Sequence, residues 1–154
     1  MFNIVLLEPR IPQNTGTIGR LAFATNCRLH LIKPYGFEIS EKALRRAGLD
    51  YWHELDVNEY ENIEEFWEKN QGKRHFFATT KTTKLYFENE YRQDDYFWFG
   101  REDAGLPENL LQQHQNSCVT IPMTNSARSL NIANSVSIVV YEAIKQNIKE
   151  FQIL

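Results

Sequence analysis

The chain is poor in cysteine, proline, glycine and long apolar runs. Cys27 and Cys118 are its two cysteines among 154 residues, too few for a disulfide framework. With His30, His53, His75 and His114 they form no zinc-ligand spacing, so no metal is expected. Five prolines and seven glycines leave no Pro/Gly/Ser-rich linker, and residues 1–154 read as a single domain. The longest mostly apolar stretch, Val136 to Ile144, is broken by Ser137 and Glu142. It is far shorter than the roughly 20 residues of a membrane span. The opening MFNIVLLEPR has no basic segment before its apolar run and no small-residue cleavage site, so it does not read as a signal peptide. Nor is there an excess of positive charge: 17 Lys and Arg stand against 20 Asp and Glu, a net charge of −3. That excludes a protein that coats nucleic acid by bulk attraction. The expectation is a reduced, metal-independent, cytoplasmic domain with no membrane partner.

What is present is an ordinary globular composition, 42% hydrophobic and 13% aromatic, too aromatic for a disordered chain. The charge is uneven. Residues 1–50 carry seven basic against four acidic side chains (+3), residues 51–100 six against eleven (−5), and residues 101–154 four against five (−1). A local basic face is therefore compatible with an acidic total, and the acidic run Glu59–Glu68 reads as a solvated helix face.

Short apolar runs alternate with helical patterns. Strands are expected at Asn3–Leu7, Arg28–Lys33, Arg74–Thr79, Tyr96–Phe99 and Cys118–Ile121. Helices are expected over Asn14–Asn26, from a Ser40 cap to Gly48, from an Asn62–Glu65 capping box to Asn70, after Pro107, and from about Leu130 to Asn147. The last is apolar on most of its circumference and is expected to be buried. This alternation implies an α/β fold, a mostly parallel sheet flanked by helices on both faces. In such sheets ligands bind beyond the carboxyl ends of the strands.

Three segments after strands have compositions that packing alone does not demand. Glu8 to Gly16 leads into a helix that carries Arg20 among apolar positions; Asn14 is either the helix cap or a functional amide, and Arg20 either snorkels to solvent or meets an anion such as phosphate. Phe99 to Pro107 holds Gly100, which either permits close approach of a ligand or simply serves a turn. Ile121 to Ser135 brings Ser126, Ser129, Asn131, Asn134 and Ser135 to the mouth of an apolar helix, where free N–H groups suit a carboxylate or phosphate unless these residues merely cap it. No G-x-G-x-x-G, no G-x-x-x-x-G-K-[ST] and no G-x-S-x-G occurs, against a dinucleotide-binding domain, a P-loop NTPase and an α/β-hydrolase.

Taken in order, these segments resemble the SPOUT superfamily of RNA methyltransferases. N-x-G-x-x-x-R (Asn14, Gly16, Arg20) looks like its first motif, F-G-x-E-x-x-G-L-P (Phe99 to Pro107) its second, and I-P-M followed by S-L-N-x-x-N-S (Ile121 to Ser135) its third. LEPRIPQNTGTIGR, RLHLIKPYGF and LRRAGLDY further resemble the small bacterial branch of TrmL type, the tRNA (cytidine/uridine-34) 2′-O-methyltransferases, across nearly the whole chain.

The resemblance implies a C-terminal trefoil knot, S-adenosylmethionine as methyl donor, a homodimer, and the wobble ribose of certain tRNAs as substrate, with leucine isoacceptors expected. The donor would lie on Ala78, Gly100, Ile121, Met123, Ser129 and Leu130. The catalytic set would be Arg20, Asn14, Glu102, Ser129 and Asn131: Arg20 clamps a phosphate and polarises the 2′-OH of the other subunit's substrate, Asn14 and Glu102 hold the loops, and Ser129 and Asn131 position the ribose. The anticodon stem-loop would dock on Lys42, Arg45 and Arg46 with Arg10, and with Arg28 nearby, unless those charges are an ordinary solvated face. Two departures stand out. Ala78 occupies a position where relatives often carry a larger aliphatic residue, and Arg101-Glu-Asp-Ala replaces the common Pro-Glu-Thr-Arg, keeping Glu102 and lacking the downstream arginine.

Overall fold

The structure is a computed structural model that describes residues 1–40, 42 and 52–151. Its centre is β1 (Asn3–Leu7), a run of five residues buried on both sides. That fits a strand flanked by neighbours in a parallel sheet and covered on both faces. β2 (Arg28–Ile32) pairs with β1 on one side and β3 (Val57–Tyr60) continues outward. On the other side come β5 (Tyr96–Phe99), β4 (His75–Ala78) and the two-residue β6 (Cys118–Val119). The order is β3-β2-β1-β5-β4-β6 and every pairing is parallel. The α/β expectation is met, and β3 is an addition. Its run is short and mixed, and it opens the acidic segment read as one helix face. Glu59 is exposed on this edge strand, and the helical part begins only after Asn62.

Four α-helices whose ranges lie among the described residues cover the sheet: α1 (Pro12–Thr25), α2 (Ile63–Lys69), α3 (Glu108–Gln113) and α4 (Ile132–Gln146). α1 starts two residues earlier than expected because Pro12, whose fixed φ and missing N–H suit a first turn, opens it. Asn14 therefore sits inside that turn, and the cap position is Ile11, whose side chain makes no capping bond. Asn62 caps α2 as expected, its Oδ1 accepting from the Glu65 N–H at 2.8 Å. The helix expected from Ser40 to Gly48, with Arg45 and Arg46, lies outside the described residues except for Ser40 and Lys42.

α1 and α4 pack against each other on one face of the sheet, burying Ile18, Ala22, Val136, Val139, Val140 and Ala143 on Ile4, Leu6, Leu29 and Leu31. α4 is less enclosed than its composition suggests. Ala133, Val136, Val139, Val140, Ala143 and Ile144 form a buried stripe, while Tyr141 is 52% exposed on the other side. The opposite face of the sheet is aromatic: Tyr60, Phe77, Tyr96 and Trp98 pack there against Phe66 of α2 and beneath α3. Among the described residues no helix is long and apolar enough to cross a membrane.

Candidate active site

At the carboxyl ends of β4, β5 and β6 the loops that follow these strands meet the first turn of α1 and the start of α4 around a cavity of about 530 Å³. This is the sheet end where α/β folds place ligands. The floor is apolar, from Ala78, Phe99, Val119, Ile132 and Val139; the walls are the backbone and side chains of Thr79–Lys81, Gly100–Leu106 and the segment from Thr120 to Asn131. An apolar floor with a few polar groups around it is the usual make-up of a small-molecule site.

Gly100 is required by its own loop. A Cβ there would collide with the backbone of Gly105 and Leu106, and Gly105 itself has φ +71°. The loop is closed by the Gly105 N–H donating to the Arg101 carbonyl at 2.8 Å. The close approach that this glycine permits is thus first an approach of the chain to itself.

Glu102 reaches out of the same loop to the first motif. One carboxylate oxygen accepts from the Arg10 N–H at 2.9 Å and the other from the Ile11 N–H at 3.1 Å. These N–H groups lie at the uncapped start of α1, so an acidic side chain 91 residues away in sequence supplies what the local sequence lacks.

Asn131 ties the third motif to the first. Its Oδ1 accepts from the Ala133 and Asn134 N–H groups at 2.8 and 3.3 Å, capping α4, while its Nδ2 donates to Asn14 Oδ1 at 3.2 Å. The N–H groups of Ala133 and Asn134, the second and third of α4, are therefore satisfied by the chain itself, so Asn131 takes the capping role that the sequence left open beside anion binding. Ser129 and Leu130 are exposed on the rim, and Ile121 and Met123 line the cavity half-buried.

All six residues expected around the donor, together with Asn14, Glu102 and Asn131, thus surround one cavity. Arg20 does not. It is exposed on α1 away from the lining and has no hydrogen bond or ion pair among the described residues. Of the residues expected to bind RNA, Lys42 is exposed and Arg10 half-buried, its Nη2 3.7 Å from Glu8 Oε1. Arg28 does not join Arg10. It opens β2, at the amino end of the sheet, whereas Arg10 follows the carboxyl end of β1, and its guanidinium is occupied by Asp56 at 3.2 Å and Asp94 at 3.8 Å.

Sequence reasoning missed Thr79, Thr80 and Lys81, which close the cavity after β4. Their position just past a strand was the signal available. The cavity lining holds no histidine or cysteine, and the described residues contain no group of three or more metal-ligating side chains.

Fold and site together define a nucleic-acid methyltransferase of the SpoU kind: the sequence profile of the SpoU rRNA Methylase family matches residues 1–141, and the chain belongs to that family. More particularly, it is similar to the tRNA (cytidine(34)-2'-O)-methyltransferase of Escherichia coli (strain K12), 45% identical over 147 residues that span 95% of this chain and 94% of the relative. A solved structure concerned with the 2-OH methylation of C/U34 on tRNA superimposes with a TM-score of 0.91 at 39% identity, covering 97% of this chain and 98% of the other. The SpoU methyltransferase AviRb from Streptomyces viridochromogenes, solved in complex with AdoMet, gives a TM-score of 0.81 at 25% identity over 95% of this chain and 57% of its own.

Proposed function

We propose that the chain transfers a methyl group from S-adenosylmethionine to the ribose 2′-OH of nucleotide 34, cytidine or modified uridine, in tRNA. The observation that carries this reading is the convergence of three segments, Glu8–Gly16, Phe99–Pro107 and Ile121–Ser135, on one cavity through the Glu102 and Asn131 ties. Similarity along nearly the whole chain to a tRNA position-34 methyltransferase supports the substrate. The donor fits the lining: its adenosine would rest on the apolar floor and on backbone around Ala78, Gly100, Ile121 and Met123, with Ser129 and Leu130 at the rim. The bound donor supplies a sulfonium methyl, already electrophilic.

The chain's own work is alignment and making the 2′-OH nucleophilic. Alignment contributes as much as about 7–11 kcal/mol in the best intramolecular cases. General-base help is worth about 10²–10⁴-fold. A guanidinium stays protonated in proteins and is a poor base, so Arg20 is read as clamping the phosphate next to the target ribose and polarising its hydroxyl. Asn14 and Glu102 hold the loops, and Ser129 and Asn131 position the ribose. Since Arg20 stands outside the cavity of its own chain, the reading includes a homodimer in which it serves the partner's cavity. The exposed apolar Tyr141 of α4, 52% exposed, supports the side of the sheet covered by α1 and α4 as the interface. The family's trefoil knot is proposed for the segment after β6, which runs beside both the 79–86 and the 100–106 segments before entering α4; Thr120 bonds to Lys84 and Tyr86 on the way. The anticodon stem-loop of leucine tRNAs, in the cytoplasm, is the expected substrate, docked on Lys42, Arg45, Arg46 and Arg10.

The test is incubation with S-adenosylmethionine and tRNA from a strain lacking the activity, followed by nucleoside mass spectrometry. New 2′-O-methylation at the first anticodon position of leucine tRNAs is expected. Methylation elsewhere discards the substrate and keeps the chemistry; donor and RNA binding without methylation replaces the enzyme by a knotted RNA-binding dimer. For Arg20, pH–rate profiles of Arg20→Lys and Arg20→Ala decide: recovery in the lysine variant with a displaced pH optimum would make Arg20 the base.

A further inference from the structure

The second loop carries its arginine at position 101. Three observations define what that side chain can do. Its backbone is fixed: the Gly105 N–H bonds to the Arg101 carbonyl, Gly100 admits no Cβ, and Glu102 pins the loop to the Arg10 and Ile11 amides. Its guanidinium is held in a fork by Asp103, Nε to Oδ1 at 3.0 Å and Nη2 to Oδ2 at 2.8 Å. Both side chains stand in solvent at the cavity mouth, 34% and 61% exposed, where an ion pair between neighbours contributes little to stability.

Arg10, tied to Glu102 through its backbone N–H, differs in having no carboxylate in its fork among the described residues. Its chain is wedged against Gly36, where a Cβ would come within 2.8 Å of Arg10 Cδ, and its Nε is buried without a partner. Its nearest carboxylate is Glu8 at 3.7 Å, beyond hydrogen-bond distance. The Asp103 carboxyl is held below its ordinary range, first by the bond from Arg101 and least by the charge of Arg10. A planar guanidinium accepts carboxylate and phosphate with the same two-pronged geometry.

We propose that Arg101 is a phosphate-binding contact of the second loop with the RNA backbone, and that Asp103 occupies its fork until a phosphate flanking the target nucleotide replaces it. Arg10, whose backbone N–H Glu102 holds beside this loop, is a second cation near it. Asp103 keeps the fork filled and oriented in the absence of RNA and opposes any anion that binds too weakly to displace it. The inference rests on the tRNA-methyltransferase reading for its ligand, a phosphodiester of a tRNA strand.

The experiment measures tRNA affinity of the full chain by fluorescence anisotropy between 50 and 300 mM salt, donor affinity by calorimetry, and methyl transfer, for the wild type, Arg101→Ala, Asp103→Asn and the double variant. Arg101→Ala is expected to weaken tRNA binding about five- to tenfold at 100 mM salt and to reduce the log–log salt slope by about 0.7–0.9, one phosphate's worth. Donor affinity stays unchanged. Asp103→Asn is expected to tighten binding about two- to fivefold, and the double variant to match Arg101→Ala. Equal affinity and slope in wild type and Arg101→Ala, with methyl transfer intact, overturns the proposal and leaves the function standing. Weakening by Asp103→Asn equal to that by Arg101→Ala overturns it too, because the pair is then only a loop staple. A salt-dependent loss in Arg101→Ala without methyl transfer by any form keeps the contact and overturns the function; a wild type that binds no tRNA overturns both.

Discussion

On the face covered by α1 and α4 the sheet presents Ile4, Leu6, Leu29 and Leu31 to Ile18, Val136, Val139 and Val140. On the opposite face it presents rings. Phe66 alone has His30, Tyr60, Trp67, His75, Tyr96 and Trp98 around it within 6.0 Å. The aromatic face also contains a directed hydrogen-bond chain. Tyr96 O–H donates to Asn70 Oδ1, Asn70 Nδ2 to the Tyr60 oxygen, Tyr60 O–H to His30 Nδ1, and His30 Nε2–H to Asn3 Oδ1. The direction follows because Asn3 Nδ2 already donates to the Asp94 carbonyl at 3.2 Å, which leaves its oxygen to accept. Beneath α1 and α4 the rings of Phe2, Phe76, Tyr91, Phe97 and Phe99 pack beside the aliphatic side chains with no such polar chain through the described sheet residues. The cavity is continuous with this face, whose Phe99, Val119 and Val139 are also its floor. The difference teaches a division of labour: a polar chain buried among rings fixes the scaffold on one side of the sheet, and the mainly apolar side carries the cavity.

The sharpest way to break this comparison is Phe66→Ala. The residue is fully buried, and its loss is expected to cost about 3–5 kcal/mol in urea unfolding while donor affinity of the folded fraction holds. An equal loss of donor affinity would refute the division. Acid comes next. Burial pushes the His30 and His75 imidazoles down to about 4, below the ordinary 6.5. The unfolded chain therefore takes up these protons first; stability is complete above about pH 6.5 and falls between there and pH 4, by about 2 kcal/mol for each histidine at pH 5. Urea midpoints at pH 7.5 and 5 check this, and a flat profile would mean that the two rings are not held neutral.

On the cavity side, Glu102→Ala is expected to lower methyl transfer about 10²-fold, about 2.7 kcal/mol in the barrier, through displacement of the α1 start. Its unfolding free energy should fall by only about 1 kcal/mol, as for a lost helix cap. The smallest effect is Asn131→Ala, about 1 kcal/mol of α4 capping. Asn131→Ser separates its two bonds: a serine hydroxyl recovers the cap but cannot also reach Asn14, so stability returns while methyl transfer stays low if that link matters.

Local chemistry made much of the fold legible. Asn62 with Glu65, the run of Asn3 to Leu7 and the cluster Tyr96 to Phe99 carry their structure in adjacent residues. β3 was hidden because Val57–Tyr60 is a half-buried edge strand whose glutamate and asparagine look like the start of the acidic helix. The three functional segments stood out by composition and by their resemblance to a family. Their connections did not: that Glu102 serves the Arg10 and Ile11 amides, and that Asn131 reaches Asn14, depends on strand order, and no spacing in the sequence encodes it. The same holds for His30. As one residue of an alternating strand it has no visible partner, and four side chains distant in sequence complete it.

The position of β1 at the centre of the sheet has a consequence for synthesis. Asn3 emerges first, yet its partner on one side is Tyr96. At about 5–20 residues per second the strand waits roughly 5–20 s for that neighbour, its second edge open. Closing so long a loop before the pairing can reward it makes the sheet a slow, non-local assembly. The cavity waits longer still, because Val139 belongs to its floor. A nascent or truncated chain ending before α4 has all six strands but lacks the part of the cavity floor that Ile132 and Val139 supply.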